Sequence, residues 1–177
     1  MIGLSNTPVL ETERLILRAP IATDYPVFAE FYASERTQHM GGPLDAAKAW
    51  RAFGHIIGHW AMRGFGMFTI TDRTSGAALG MTGAWFPHGW PEQEVGWSLW
   101  SAEHEGKGIA AEAARAALQY VWTVLQWDTA VSYVDTANTS SAALAARLGA
   151  VIDPQAVKLP VDVPLDVWRH TKPEGLA

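Results

Sequence analysis

The sequence predicts an α+β protein whose central sheet is mainly antiparallel. Stretches with the 3.6-residue apolar period of helices alternate with short runs that are typical of strands. Most consecutive strand-like runs are separated by tight-turn sequences, which favours antiparallel neighbours. One strand-like run is instead followed by a glycine turn and a long helix. Because the two strands that flank this helix need a crossover connection, we expect them to be parallel where they meet.

Length and composition indicate a single domain, residues 1–177, with one substantial core. The net charge of −5 argues weakly against nucleic acid as a partner and suits a cationic substrate. The chain contains no cysteine, no run of 18 apolar residues and no signal-peptide pattern. We therefore expect a cytoplasmic protein that binds neither membrane nor nucleic acid, and a homodimer is compatible with the sequence.

The N-terminal half is predicted to contain a strand, two helices and a hairpin. Thr23 or Asp24 is a favourable cap for the first helix, and Gly64 is a favourable end for the second. The predicted elements are strand 14–18, helix 24–33, helix 45–62, strand 65–71, turn 72–76 and strand 77–86. The predicted buried faces are Val27, Phe28, Phe31 and Tyr32 on the first helix, and Trp50, Phe53, Ile57 and Trp60 on the second.

Two features of this half are candidates for chemistry. His55 and His59 are four residues apart on the second helix, a spacing that can bind a metal. No third ligand is apparent, so we predict surface or partly buried imidazoles and no metal. The loop 87–91 either walls a substrate pocket or folds Trp90 back onto the core, and His88 in this loop is a minor candidate for a base.

The C-terminal half is organised around a glycine turn that precedes an alanine-rich helix. Strand 94–100 comes before the turn, and Gly106 and Gly108 lie within it. Glycines let the backbone approach a ligand, and free N–H groups at a helix start attract anions. The turn is therefore either a phosphate cradle or a plain connection. The remaining predicted elements are the helix whose apolar stripe runs from Ala110 to Leu125, strand 129–135, helix 138–148 ending at Gly149, and strand 166–170.

Three motifs, in this order along the chain, resemble those of one family. The first is the opening stretch 10–18, and the last is the stretch 138–150, which contains Asn138, Ser141 and a terminal Arg-Leu-Gly-Ala. Between them, residues 105–110 resemble the Gln/Arg-x-x-Gly-x-Gly/Ala signature of the GNAT superfamily of acyl-CoA-dependent N-acetyltransferases, with Glu105 departing at its first position. The first and last motifs resemble the ribosomal-protein N-terminal acetyltransferase branch, which is RimJ/RimL-like.

This resemblance implies the GNAT arrangement, in which helices cover both faces of the sheet and the parallel strand pair splays apart to hold pantetheine. It also implies that the chain transfers an acetyl group from acetyl-CoA to a primary amine, without a metal. The acceptor is either a protein N-terminal α-amine or a small-molecule amine, and a non-catalytic acyl-CoA-binding module is the alternative. The cofactor-binding residues implied by position are Ser98, Leu99, Trp100, Gly106, Lys107, Gly108, Ile109, Ala110, Ala111, Asn138 and Ser141.

The predicted catalytic base is Glu94, and the alternative is that it is an ordinary exposed glutamate of the acidic stretch 92–94. Amines are mostly protonated at pH 7 and must lose a proton before they attack, so the reaction needs a base. Glu94 lies fourteen residues before Gly108, and histone-acetylating relatives carry their general-base glutamate at the matching distance. Strand alternation also places Glu94 on the same face as Gly96 and Ser98. Glu92 is the fallback base.

The acid that protonates the departing thiolate is less clearly marked. Many relatives use a tyrosine four positions before the glycine of the last motif, and here that position is Ala145. We therefore expect Ser141 or a water to take this role.

Overall fold

The computed structural model describes residues 4–176, which form one mixed eight-stranded sheet and four α-helices. The strands are β1 (Leu10–Glu11), β2 (Leu15–Arg18), β3 (Met67–Asp72), β4 (Ala78–Trp85), β5 (Glu94–Leu99), β6 (Thr129–Asp135), β7 (Val151–Ile152) and β8 (Leu165–Thr171). They lie in the order β1-β2-β3-β4-β5-β6-β8-β7, and every neighbouring pair is antiparallel except β5 and β6. No helix in this part of the chain is long and apolar enough to cross a membrane. The helices are α1 (Tyr25–Tyr32), α2 (Ala46–Arg63), α3 (Ile109–Thr123) and α4 (Thr139–Arg147).

The predicted elements are all present, with boundaries that differ by a few residues at most. The sequence did not indicate the two-residue strands β1 and β7 or the 3₁₀ segment Glu35–Met40. The predicted side-chain cap of the first helix is wrong. The Asp24 carboxylate instead accepts hydrogen bonds from Arg18 at 2.7 and 2.8 Å and from the Thr69 hydroxyl at 2.9 Å. It therefore ties α1 to the sheet.

Two predicted buried faces are corrected at their edges. Trp50 is 61% exposed and Val27 is 42% exposed, whereas Phe53 and Phe28 are buried as expected. On α2 the buried face runs through Ala49 and Phe53, and Trp50 lies about 100° around the helix from Ala49. Its ring packs against the ring of Tyr25 in a T-shaped arrangement, with 4.9 Å between the centroids.

Helices cover both faces of the sheet. On one face, α3 packs its alanine-rich side against β4 and β5, where Val121 and Leu118 meet Val95 and Ala84. The opposite face packs against α1 and α2 in a cluster that includes Phe28, Phe53, Met81 and Trp100. Small side chains on α3 permit close approach to the sheet, which brings the start of this helix near the end of β5.

The parallel pair β5–β6 is joined at one register position and then separates. Glu94 is level with Val131, and Val131 N donates to Gln93 O at 2.8 Å. One residue further, the buried Ser132 hydroxyl donates to Val95 O at 2.6 Å, in place of a backbone donor. His170 Nε2 lies 3.0 Å from the same hydroxyl oxygen. Because that hydroxyl proton is used by Val95, the imidazole is the donor in this second bond.

We expect Ser132→Ala to destabilise the fold by about 1–3 kcal/mol for each of the two buried groups left without a partner, Val95 O and His170 Nε2. Urea unfolding followed by tryptophan fluorescence measures this loss. Ser140→Ala on the exposed side of α4 is the matched control and should change the free energy of unfolding by less than about 0.5 kcal/mol. Equal stabilities for the two variants would contradict this account of the strand separation.

Candidate active site

A cavity of about 500 Å³ opens where β5 and β6 separate. Its walls come from both strands, the 3₁₀ segment, the start of α4 and the segment 159–165. Most of the lining is apolar or aromatic. The aromatic and methionine side chains in the lining are Tyr32, Met40, Met67, Met81, Trp85, Trp90, Trp97 and Tyr133, and the polar ones include Gln38, His39, Glu94, Ser98, Ser132, Asp135, Asn138 and Ser141.

Glu94 lies at the point where the two strands part, with its side chain in the cavity wall. Trp90 Nε1 donates to Glu94 Oε2 at 2.6 Å, so the loop 87–91 contributes a wall of the cavity and an anchor for the carboxylate. Loss of hydration at this position raises the pKa of Glu94 to about 7, despite the opposing effect of the Trp90 hydrogen bond. A carboxylate with this pKa accepts and releases protons near neutral pH.

The two alternative bases lie outside the cavity lining. Glu92 forms a bidentate ion pair with Arg169, at 2.9 and 3.0 Å, and Arg169 also binds Asp153 at 2.6 Å. The fallback carboxylate is therefore engaged in a structural network. His88 is exposed at the tip of its loop. Of the three candidate bases, only Glu94 lines the cavity.

The glycine turn has the backbone conformation of an anion cradle. Gly106 and Gly108 have φ angles of +69° and +77°, which strongly favour glycine. The first intrahelical bond of α3 is donated by Glu112 N to Gly108 O at 3.0 Å. The amides of Ile109, Ala110 and Ala111 precede it and have no carbonyl of the helix to bind. This arrangement can accept a phosphate group at the helix start.

An ion pair fixes the glycine turn to the segment that directly precedes β2. Arg14 donates to Glu112 Oε2 through Nε at 2.7 Å and to Lys107 O through Nη1 at 3.0 Å. Thr12 Oγ1 also donates to Glu112 Oε1 at 2.6 Å. The opening motif of the sequence therefore holds the start of α3, a role that the sequence alone did not indicate.

The edge of β5 that faces the gap is defined by the hydrogen-bonding pattern with β4. Trp100 N donates to Leu79 O at 2.9 Å, so the backbone of Trp100 is directed towards β4. In an antiparallel pair this direction alternates, which also directs Ser98 towards β4. Trp97 and Leu99 then direct their backbone groups towards the gap. Arg36 Nη2 confirms this for Leu99, since it donates to Leu99 O at 2.9 Å from that side.

The start of α4 brings Asn138 and Ser141 into the cavity wall together. The Asn138 side chain accepts a hydrogen bond from Ser141 N at 3.1 Å and so caps the helix. The Ser141 side chain lines the same cavity as Glu94.

Several residues of the site could not be found from the sequence. His39 Nδ1 lies 2.7 Å from Asp135 Oδ2, and both side chains line the cavity. These residues are 96 positions apart, and His39 belongs to the unpredicted 3₁₀ segment. Ser132 and His170 were missed for the same reason, because only the folded sheet places them together.

His59, the second histidine of the pair on α2, is held by contacts that serve the fold. His59 was predicted to be at the surface or partly buried, but it is only 3% exposed. Its Nδ1 lies 2.9 Å from Phe65 O, Phe86 N donates to its Nε2 at 3.0 Å, and its ring stacks on Trp85. Among residues 4–176, no group of three or more His, Cys, Asp or Glu side chains is placed to hold a metal ion.

Comparison with known proteins decides the family. The model of the acetyltransferase (GNAT) domain matches residues 14–151. This chain belongs to the GNAT acetyltransferase family. The predicted fold, with its one parallel strand pair and helices on both faces, is confirmed.

Solved structures of similar proteins agree with this assignment. A crystal structure of an acetyltransferase from Agrobacterium tumefaciens str. C58 is 36% identical, with a TM-score of 0.88 over 97% of this GNAT chain and 99% of that protein. A ribosomal-protein-S5-alanine acetyltransferase from Vibrio fischeri shares the fold, with 16% identity and a TM-score of 0.74 over 96% of this chain and 99% of that one. RimL, a ribosomal L7/L12 α-N-protein acetyltransferase solved with coenzyme A, has 17% identity and a TM-score of 0.73 over 93% of this chain and 98% of that one.

The raised pKa of Glu94 predicts a pH-dependent cost to stability. The unfolded chain ionises this group from about pH 4.5, whereas the folded protein keeps it protonated to about pH 7. Stability is therefore lost as the pH rises between these values. We expect Glu94→Gln to raise the free energy of unfolding at pH 8 by at most about 3 kcal/mol, and to leave it unchanged near pH 4.

Urea unfolding at the two pH values measures this difference. Glu103→Gln, an exposed substitution of the same type, is the matched control and should have little effect at either pH. If Glu94→Gln loses stability at pH 8, the carboxylate is stabilised rather than strained by its surroundings.

Proposed function

We propose that this GNAT protein transfers an acetyl group from acetyl-CoA to a primary amine by direct attack, with Glu94 as the base. The observation that carries this proposal is the position of Glu94 in one continuous cavity with Asn138 and Ser141. The family resemblance implies that the thiol end of the cofactor would lie beside these two residues. A non-catalytic binding module would have no use for a desolvated carboxylate at that point.

The residues of the chain fit acetyl-CoA. The amides at the start of α3, with Gly106, Lys107 and Gly108 before them, are proposed to hold the pyrophosphate. Of the β5 residues predicted to pair with pantetheine, Leu99 directs its backbone towards the gap, and Trp97 does so as well. Ser98 lines the cavity through its side chain, and Trp100 packs in the core. Ser98 and Trp100 would therefore shape the gap rather than pair with pantetheine through their backbone.

Glu94 is proposed to accept the protons that the amine nitrogen loses. With a pKa of about 7 it is largely ionised above neutral pH, and water is partly excluded around it. The acceptor enters as an ammonium ion, and the cavity suits a cation. No lysine or arginine of the described chain lines it, whereas Glu94 and Asp135 do.

The acceptor is proposed to be an α-amine or small amine with an apolar group beside it. Trp85, Trp90 and Trp97 line the cavity together with several methionines. Such a lining favours aromatic and branched side chains, and it disfavours a second carboxylate near Glu94. Similarity to ribosomal-protein acetyltransferases favours a peptide N-terminus within this class.

Gly108→Val should abolish binding of CoA while the protein remains folded, because the new side chain would strain the turn and displace the amides of the cradle. Isothermal titration calorimetry with CoA measures this loss. Gly64→Val is the matched control, since Gly64 has nearly the same φ, +76°, at the end of α2. It should carry a similar backbone strain and retain affinity. Unchanged affinity in a folded Gly108→Val protein would rule the cradle out.

Glu94→Gln should lower turnover at pH 7 by about 10²–10⁴-fold, the usual cost of removing a positioned base. The wild-type rate should fall as the pH drops below about 7, where Glu94 becomes protonated. In the variant, raising the pH should recover part of the rate by deprotonating the amine directly. Thiol release from acetyl-CoA measures both profiles, and calorimetry should show unchanged affinity for acetyl-CoA. Near-normal turnover of the variant at pH 7 would remove Glu94 from the mechanism.

A panel of amines tests the acceptor. Peptides that differ only in their first residue, Phe, Leu, Ser or Asp, are compared with a polyamine and an aminoglycoside in the thiol-release assay. We expect kcat/KM for the Phe and Leu peptides to exceed that for the Asp peptide by about tenfold or more. Equal activity with Asp and Phe would contradict the apolar acceptor, and no release with any amine would favour the binding module.

A further inference from the structure

The proposed reaction leaves one proton transfer without an evident donor. When the C–S bond of the thioester breaks, its electron pair stays on sulfur, and the thiolate needs a proton. Ala145 stands where many relatives have a tyrosine, and it is fully buried. The inference that follows rests on the proposed function, because it names the proton donor of that reaction.

His39 and Asp135 form a bonded pair in the wall of the same cavity. Their side chains are 25% and 12% exposed, and the bond joins Nδ1 to Oδ2 at 2.7 Å. A carboxylate on Nδ1 fixes the orientation of the ring and makes the other nitrogen the one that can exchange a proton. Nε2 is therefore the atom of His39 that is suited to act on a substrate.

The pair lies level with the part of the gap where the thiol end is proposed. Glu94 is level with Val131, so Asp135, four residues further along β6, is level with Ser98 on the separated part of β5. Asn138 and Ser141 follow within six residues and line the same cavity. The imidazole thus shares a wall with the residues that are proposed to surround the sulfur.

The 3₁₀ segment that carries His39 is held on both sides of the gap. Arg36 donates to Leu99 O on β5, and His39 binds Asp135 on β6. Arg36 and His39 are three residues apart, so they lie on the same side of the 3₁₀ helix. This short segment therefore contacts both strands across the gap. Thr37, between Arg36 and His39, is buried, and its hydroxyl donates to Ser34 O at 2.9 Å.

The hydroxyl groups that line the cavity are poorer acids than an imidazolium. Burial raises the pKa of Tyr32 and Tyr133 to about 12, so transfer from either phenol to a thiolate, whose thiol titrates at about 8.5, is unfavourable. A serine hydroxyl such as that of Ser141 is weaker still and serves better as a hydrogen-bond donor. An imidazolium is a stronger acid than a thiol.

We propose that His39, oriented by Asp135, is the catalytic acid that protonates the departing thiolate. The amine nitrogen bonds to the acetyl carbon, the C–S bond breaks with its electron pair on sulfur, and the Nε2 proton of His39 moves to sulfur. Glu94 accepts the protons lost by the nitrogen, one before and one during attack, and passes them to water. His39 regains one proton from water, so one proton is released overall for each ammonium acceptor.

The test compares acetyl-CoA with its selenium analogue, Se-acetyl-selenoCoA. A selenol is a stronger acid than a thiol, so its anion departs with less help from an acid. His39→Asn keeps an amide that can donate to Asp135 but cannot transfer a proton. We expect its single-turnover rate to fall about 10²–10⁴-fold with acetyl-CoA. With the selenium donor this loss should shrink by about tenfold or more.

Thr37→Val is the matched control, because it loosens the same segment and retains the imidazole. Any loss it causes should be the same with both donors. If His39→Asn lowers the single-turnover rate equally with both donors, or lowers only the melting temperature or the affinity for CoA, the pair has only a structural role. If the wild-type protein transfers no acetyl group to any amine, the proposed function fails and this inference fails with it. An active wild type with an unaffected His39→Asn variant overturns this inference alone.

Discussion

The hydrogen bond from the Ser132 hydroxyl to Val95 O is the contact on which the site depends. Two parallel strands that begin to pair would normally continue their ladder. Here a side-chain hydroxyl satisfies the next carbonyl, and His170 supports that hydroxyl from β8. Beyond this point the two strands lie apart without leaving this buried group unpaired. The cavity, the free edge of β5 and the position of Glu94 all follow from this separation.

The raised pKa of Glu94 is a consequence of its position where β5 and β6 separate. The carboxyl group is too poorly hydrated to ionise at its ordinary pKa, and Trp90 restricts its movement. The same desolvation that lets this carboxyl group exchange a proton near neutral pH also lowers the stability of the folded state at higher pH. Such a conflict between stability and activity is typical of functional sites. It also distinguishes Glu94 from Glu92, whose charge is balanced by Arg169.

Three arginines hold the surroundings of the gap through contacts that are distant in sequence. Arg14 fixes the start of α3 through Glu112, Arg36 joins the 3₁₀ segment to β5, and Arg169 anchors the loop before β5 through Glu92. Arg36 also pairs with Glu105 at 2.7 Å. Glu105 is the residue that departs from the family motif. Its negative charge lies beside the glycine turn and is compensated by this ion pair with Arg36. These arginine contacts therefore hold in position the elements that surround the apolar gap.

The sequence by itself determined the class of the fold and the order of its main elements, because these depend on local periodicity and turn chemistry. It also singled out the glycine turn and Glu94 as candidate site residues, through motif spacing. It misjudged Trp50, which lies beside the buried face of α2 but is itself exposed, and it missed the pairing of His39 with Asp135. Only the tertiary structure decided which strand edge faces the gap, which carboxylate is desolvated and which histidine meets an acid. Those properties arise from contacts between residues tens of positions apart, and local sequence carries no record of them.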